Sequence, residues 1–246
     1  VRRGAPPRAA PPPPPPGARP PAPPPPGTSM TRTALLLSAL VVALLASLPF
    51  LYARQRHETF RNFRVVDDGV LYRSGQMSPA GIARVCREKG IRTVVSLRDE
   101  EKQADDVDDE EAVCRRNGVV MYETIPPKGW EVENGVVPMA ANLRQFAARL
   151  DGPVTDPLTG QLLPPFQPPI LVHCFAGIHR TGAHVAVYRV KRNGYTPAEA
   201  VAELKGCGKP TTTYVGNLIP FLRDHHLPAL YEQVHGRPVG GAADRL

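Results

Sequence analysis

Residues 33–53 carry no charged side chain, and residues 34–46 consist of Ala, Leu and Val interrupted only by Ser38. A run of that length is enough to cross a bilayer as a helix. From residue 60 the pattern changes to short apolar runs separated by amphipathic stretches. The runs at 63–66 and 70–73 flank Asp67-Asp68-Gly69, which predicts two short strands joined by a turn. Ser78-Pro79 supplies an N-cap and a first-position proline for a helix that Gly90 ends. Residues 91–97 and 119–124 read as strands. Helical spacing of Met139, Leu143, Phe146, Ala147 and Leu150 predicts a helix over 138–150. Ile170-Leu171-Val172 after Pro169 is a buried strand, and 183–192 is the helix that follows it. Thr196, Pro197 and Glu199 have the spacing of a capping box, opening a helix to Leu204. A last helix is expected over 211–224, bent or broken near Pro220. This alternation predicts an α/β fold, a single central sheet flanked by helices and preceded by one transmembrane helix.

Composition divides the 246 residues further. Residues 1–30 are mostly Pro, Ala, Gly and Arg, which cannot bury enough apolar area to fold and sample extended polyproline II. Met30 is the expected translation start. The expected organisation is a Pro-rich tail at 1–30, a membrane anchor at 33–53, an α/β domain at 60–228 and a polar tail at 229–246. The chain keeps an apolar character through Pro49, Phe50, Leu51 and Tyr52, with no clear cleavage site, so an uncleaved single-pass anchor is favoured over a signal peptide. Arg54, Arg56, Arg61 and Arg64 outweigh Arg32 and favour a cytoplasmic C-terminus. A short basic segment before an apolar run is equally how an exported domain begins, so the side stays open.

The formal charge of +7 changes this picture little. Arg2, Arg3, Arg8, Arg19, Arg32, Arg54 and Arg56, against Glu58, account for six of those charges. The basicity belongs to the tail and membrane flanks, and no nucleic-acid partner is expected. The acidic run at 99–111 lacks the glycine and ligand spacing of a calcium loop and reads as a solvated helical face. His225-His226 reads as a solvated helix end. The four cysteines, Cys86, Cys114, Cys174 and Cys207, have neither zinc nor disulfide-framework spacing. Cys86 and Cys114 fall in helical patterns and pack as small apolar residues. Cys207, between glycines, is the one expected to be exposed.

Cys174 alone has a chemical setting. It ends the strand 170–173, and Arg180-Thr181-Gly182 opens the next helix after five intervening residues. A loop between a strand end and a helix start can turn its backbone N–H groups inward as an anion nest, with the helix N-terminus adding positive potential. That field favours the thiolate of Cys174. The planar fork of Arg180 can grip two oxygens of a tetrahedral oxyanion. Nucleophilic attack of sulfur on a phosphate ester is the chemistry this pattern suggests.

His-Cys-x5-Arg-Thr-Gly after an apolar strand resembles the phosphate-binding signature of the cysteine-dependent protein tyrosine phosphatases, most closely their compact dual-specificity branch. Residues 70–76 (VLYRSGQ), 90–98 (GIRTVVSLR) and 194–200 (GYTPAEA) are similar to this branch in order and spacing, and the likeness runs over residues 60–226. The resemblance implies a phosphomonoesterase acting on phosphotyrosine-containing or other phosphorylated proteins, or on a small phosphoester, without metal or cofactor. It implies Cys174 as nucleophile, Arg180 as phosphate clamp, and Phe175, Ala176, Gly177, Ile178 and His179 as the substrate loop. The Thr181 hydroxyl would hydrogen-bond the Cys174 sulfur, and His173 would hold the loop. Arg73 could reach the phosphate, though a structural ion pair is its better reading.

The family's general acid is usually an Asp on the loop before the preceding helix. The corresponding stretch, 126–135, holds no Asp, and its carboxylates are Glu131 and Glu133, with Glu133 slightly preferred. Asp151 and Asp156 are further alternatives. Residues 151–169 look like an insertion, either a surface hairpin or a substrate-shaping lid. The absence of lysine from the loop disfavours polyphosphorylated ligands, while a membrane anchor keeps a phosphoinositide substrate open. A phosphate-binding module without a general acid and a rhodanese-like sulfur transferase are the competing readings.

Overall fold

The computed structural model describes residues 31–98, 110–125, 129, 137–156, 159–208 and 217–240, the side chains of 55–58 excepted. Contacts divide the chain into Val1–Pro49 and Phe50–Leu246. The first unit holds the start of α1 (Arg32–Thr59), a 28-residue helix that contains Pro49. Over Arg32–Arg54 this helix is long and apolar enough to cross a membrane, with mean hydropathy 2.5 and none of it buried against the protein.

The second unit begins with a hairpin of β1 (Arg64–Asp67) and β2 (Leu71–Ser74), paired antiparallel across the predicted Asp-Asp-Gly turn. It continues through α2 (Pro79–Lys89), β3 (Thr93–Ser96), α3 (Glu110–Arg116), β4 (Met121–Thr124) and α4 (Met139–Arg149). Then come the short strands β5 (Val154–Thr155) and β6 (Leu162–Leu163), and β7 (Ile170–His173). The helices α5 (His179–Asn193), α6 (Pro197–Gly206) and α7 (Leu227–His235) close the domain. The main sheet has the order β1-β2-β7-β3-β4, parallel except at β1. β7 is therefore central, with all four residues buried.

Local chemistry sets these boundaries. The Ser78 hydroxyl accepts from Gly81 N–H, and Gly90 ends α2 in the left-handed conformation at φ 60°. At α6, Thr196 and Glu199 complete the predicted capping box. Alternating strand residues then bury two faces. Ile170 and Val172 join the core under α4 to α7, while Leu171 packs with Tyr72, Val94, Ile82, Val85, Val113 and Cys114 under α2 and α3. Helices on both faces explain why β7 reads as a continuous apolar run.

Residues 151–169 stood open between a surface hairpin and a lid, and three other expectations need correction. Residues 151–169 include the antiparallel β5–β6 hairpin and then lay Phe166 against Phe146, with ring centroids 5.4 Å apart. They re-enter the sheet at the N-terminal end of β7, whereas Cys174 follows its C-terminal end, so the insertion is a surface hairpin. The last helix, whose residues 211–216 lie outside the described residues, does not end at Asp224: past Pro220 it widens into a π-helical stretch, Phe221–His226, and continues as α7. Leu227, Leu230 and Tyr231 bury themselves in the core, so the segment read as a polar tail contributes a structural helix. Cys207 is buried, with the Arg64 guanidinium 3.7 Å from its sulfur.

Phe146 is fully buried between the Phe166 and His184 rings. We predict that Phe146→Ala lowers unfolding free energy by about 3–5 kcal/mol, read as a shift of the urea midpoint. A loss below about 1 kcal/mol would mean that this core is not packed as described.

Candidate active site

The chain leaves β7 at His173 and enters α5 at His179, and Cys174 to Ile178 form the loop between them. The main-chain carbonyls of this loop are bonded from outside. Phe175 O accepts from Gln76 N–H at 3.0 Å. Ala176 O accepts from the Asn62 carboxamide at 2.7 Å. Gly177 O accepts from Arg73 Nη2 at 2.8 Å. Ile178 O accepts the first α5 bond, from Gly182 N–H at 2.9 Å. In a trans peptide the N–H points opposite to the carbonyl. Fixing these carbonyls outward therefore turns the N–H groups of Ala176, Gly177, Ile178 and His179 toward the inside of the loop. The inward direction is visible at Gly177, whose N–H donates to Cys174 Sγ at 3.3 Å.

Close packing requires two glycines. Gly177 has φ 71°, and a Cβ there would lie 2.4 Å from Gly75 N and 2.6 Å from the Ser74 carbonyl carbon. A Cβ on Gly75 would meet the Ala176 carbonyl carbon and oxygen at 3.0 Å. The β2 end and the loop thus approach backbone to backbone, which only glycine permits.

Around the thiol, Arg180 lies in the first turn of α5 and donates from Nη1 to Leu97 O at 3.2 Å, which holds its fork beside the end of β3. Cys174 is only 5% exposed. Phe175 is 58% exposed and carries the Arg61 guanidinium 4.2 Å from its ring centroid. Burial and the Arg180 charge lower the affinity of His179 for a proton below its ordinary value.

The predicted residues Cys174, Phe175, Ala176, Gly177, Ile178, His179 and Arg180 come together in one loop. Among the described residues Arg73 has no carboxylate in an ion pair, contrary to expectation. Buried beneath the loop, it donates to Gly177 O at 2.8 Å and, more weakly, to Ile178 O at 3.5 Å. The Thr181 hydroxyl is fully buried but has no hydrogen-bond partner among the described residues, so the expected bond to the Cys174 sulfur is not made. Gly177 N–H takes that sulfur instead. Asp151 pairs with Lys191 at 2.5 Å and Arg192 at 3.0 Å, at the far end of α5 from the thiol. Glu131 and Glu133 lie outside the described residues.

Several site residues escaped the sequence reading. Asn62 and Gln76 hold the loop, as described above. Glu110, at the end of the acidic run, is not on a solvated face: its Oε1 lies 2.9 Å from His173 Nε2 and accepts from the Tyr122 hydroxyl at 2.9 Å. Its side chain is 13% exposed. Burial alone would raise the Glu110 carboxyl, but the His173 ring, the Tyr122 hydroxyl and Arg98 together outweigh it and hold the carboxyl at about 2. With the Gln76 carboxamide oriented so that its oxygen faces Arg98, it accepts from that guanidinium at 3.0 and 3.3 Å. A buried polar layer thus backs the nucleophile strand. Periodicity could not reveal it, because its members come from five separated stretches of the chain.

One turn beyond Arg180, His184 Nδ1 lies 2.8 Å from Arg180 O. A carbonyl only accepts, so Nδ1 carries the proton. Nε2 has no partner among the described residues, which fits a neutral ring with a bare lone pair there. Complete burial pushes the ring down to about 4, and burial likewise pushes His226, whose ring lies 5.4 Å from Phe221, to about 4.

This is the architecture of a cysteine-dependent phosphatase: a thiol at a strand end, a loop of inward N–H groups and an arginine on the following helix. Residues 50–213 match the family model described as "DSP-PTPase phosphatase fused to NAD+ Kinase", and the chain belongs to this phosphatase family. No curated protein matches the chain. Solved structures similar to it include the core catalytic domain of the PP-IP phosphatase SIW14 from S. cerevisiae, in complex with citrate. That structure is 19% identical, with 68% of this chain and 86% of that chain covered and a TM-score of 0.46. TpbA of P. aeruginosa is 22% identical, with coverage of 71% and 91% and a TM-score of 0.47. PTPMT1 in complex with PI(5)P is 15% identical, with coverage of 71% and 97% and a TM-score of 0.45.

The buried histidines give a pH prediction. Their folded pKa values lie below the ordinary 6.5, so between about pH 6.5 and 4 the unfolded chain binds more protons and stability is lost as pH falls. We predict that wild type loses up to about 3 kcal/mol through His184 across this window, and that His184→Gln removes that part of the slope. Equal slopes in urea unfolding between pH 4 and 6.5 would contradict a buried neutral His184.

Proposed function

We propose that this phosphatase hydrolyses phosphorylated proteins, phosphotyrosine foremost, through a cysteinyl-phosphate intermediate. The observation that carries the reading is the loop itself: outward carbonyls bonded to Gln76, Asn62 and Arg73, and the Gly177 N–H on the Cys174 sulfur. An absence of lysine and an exposed Phe175 at the rim suit an aryl monophosphate better than a polyphosphate.

In the first step the Cys174 thiolate attacks phosphorus, the S–P bond forms and the ester P–O bond breaks. Arg180 and the loop N–H groups bind the equatorial oxygens as charge develops. Glu133 or Glu131 gives its proton to the leaving oxygen, and no metal or cofactor takes part in this scheme. In the second step water attacks phosphorus, the same carboxylate takes its proton, and the S–P bond breaks to release phosphate and thiolate. The Thr181 hydroxyl, buried and unpartnered in the free enzyme, would stabilise the departing thiolate. Residues 32–54 would anchor the domain to a membrane as a single-pass protein. That apolar helix, with Arg54, Arg61 and Arg64 close behind it, favours a phosphoinositide as the second reading.

The test is a pH–rate profile on an aryl phosphate, with a phosphotyrosine peptide and vesicles containing a phosphoinositide as competing substrates. Cys174→Ser is expected to lower turnover more than about a thousandfold. One of Glu131→Gln and Glu133→Gln should lose the basic limb and about a hundredfold in kcat. A wild type that binds vanadate but turns over none of these substrates would mark a phosphate reader and end the enzyme reading. Preference for the vesicles over the peptide would reverse the order of the two substrate readings.

A further inference from the structure

We propose that Asn62 is a positioning residue of the phosphate loop, aiming one backbone donor at the reacting group; this rests on the phosphatase reading above. The Ala176 carbonyl and the Gly177 N–H belong to the same peptide plane. Asn62 holds the carbonyl end from outside at 2.7 Å, and the N–H end reaches Cys174 Sγ at 3.3 Å. A trans peptide transmits the direction rigidly, so the side chain of Asn62 fixes where the Gly177 donor points.

The backbone at this position narrows the choice of residue. Phe63 N–H closes a tight turn onto Phe60 O at 3.1 Å. Inside that turn Asn62 has φ 49° and is the one non-glycine residue with positive φ among the described residues. Gly, Asn and Asp tolerate this left-handed region best. Of these three, only Asn carries a side-chain N–H to donate to a carbonyl. A residue held in a costly conformation beside a reactive loop is the pattern expected where local strain serves function.

The turn is anchored independently of the Asn62 side chain. Gly75 N–H donates to Arg61 O at 2.6 Å, and Phe63 stacks on Tyr72 with centroids 6.0 Å apart. Removing the carboxamide should therefore free the Ala176–Gly177 peptide without unfolding the turn. Asn62 stands only eight residues beyond Arg54, where the apolar span ends. The segment leaving that span is thus part of the phosphate site, and a fragment starting after residue 62 would lack one of its outer bonds.

The test uses the full chain with Asn62→Gly and Asn62→Asp. Glycine keeps the left-handed backbone and removes the donor. Aspartate keeps the shape and sets an acceptor against the carbonyl. The readouts are inorganic tungstate affinity by calorimetry, kcat and KM on an aryl phosphate, and Tm without ligand. The expected result is about tenfold weaker tungstate binding for Asn62→Gly and a larger loss for Asn62→Asp, with Tm of the glycine variant lowered by no more than about 4 °C. The kcat should fall with tungstate affinity and more than KM rises, because the donor acts on charge that develops in the transition state. Unchanged tungstate affinity in both variants, or losses that only follow Tm, would overturn the proposal. If wild type binds tungstate and the variants bind it less, but no variant turns over, the positioning role stands and the hydrolytic reading fails. If wild type binds no tungstate, both fail.

Discussion

The site depends on one constraint: the carbonyls of the loop 175–178 must face away from the thiol. Each carbonyl turned inward would set a partial negative charge against an incoming phosphate and remove a donor from it. Three residues supply the outer bonds, Gln76 after β2, Asn62 before β1 and Arg73 within β2, while the fourth carbonyl is absorbed by α5. The free energy of each such bond is modest, on the order of 1 kcal/mol. Their joint effect is geometric. They preorganise the donors, so that little reorganisation remains when charge develops on the phosphoryl oxygens.

The rest of the fold serves that loop. The central position of β7 lets β2 and β3 flank it on both sides, and the ends of those strands deliver Arg73, Gly75 and Leu97 to the loop and to Arg180. α5 starts at His179 and is buried along most of one side, so its N-terminal dipole is held at the Cys174 loop. Behind Cys174, Glu110, Tyr122, Arg98 and His173 form a polar layer within the protein. A buried carboxylate needs such partners, and removal of any one would leave the others exposed to the cost of desolvation.

Much of this was legible in the chain. The strand–loop–helix around Cys174, the capping residues of α2 and α6 and the alternation of elements all depend on local spacing, which sequence displays directly. The loop residues from Cys174 to Arg180 were found for the same reason. Asn62 was not, because its contact lies 114 positions away and an isolated asparagine between Arg61 and Phe63 has no pattern. Glu110 was hidden among like charges, and only the fold separates it from its neighbours. Arg73 was read as an ion-pair residue that could reach the loop, because a sequence cannot tell a carboxylate partner from a backbone carbonyl. The C-terminal helix was missed because Pro228, Gly236 and Pro238 in 229–240 and its surroundings read as punctuation, whereas Leu227, Leu230 and Tyr231 had a core to pack on.

The central claim is that the loop is built in its anion-binding form before any phosphate arrives. The most direct measurement is a pair of experimental structures, with the site empty and with tungstate soaked in. The account predicts an oxyanion over Cys174 Sγ, held by N–H groups of residues 175–180 and by Arg180. It also predicts carbonyls bonded to Gln76, Asn62 and Arg73 in both structures. A loop whose carbonyls turn inward in the empty protein, or an anion bound away from Cys174, would contradict it.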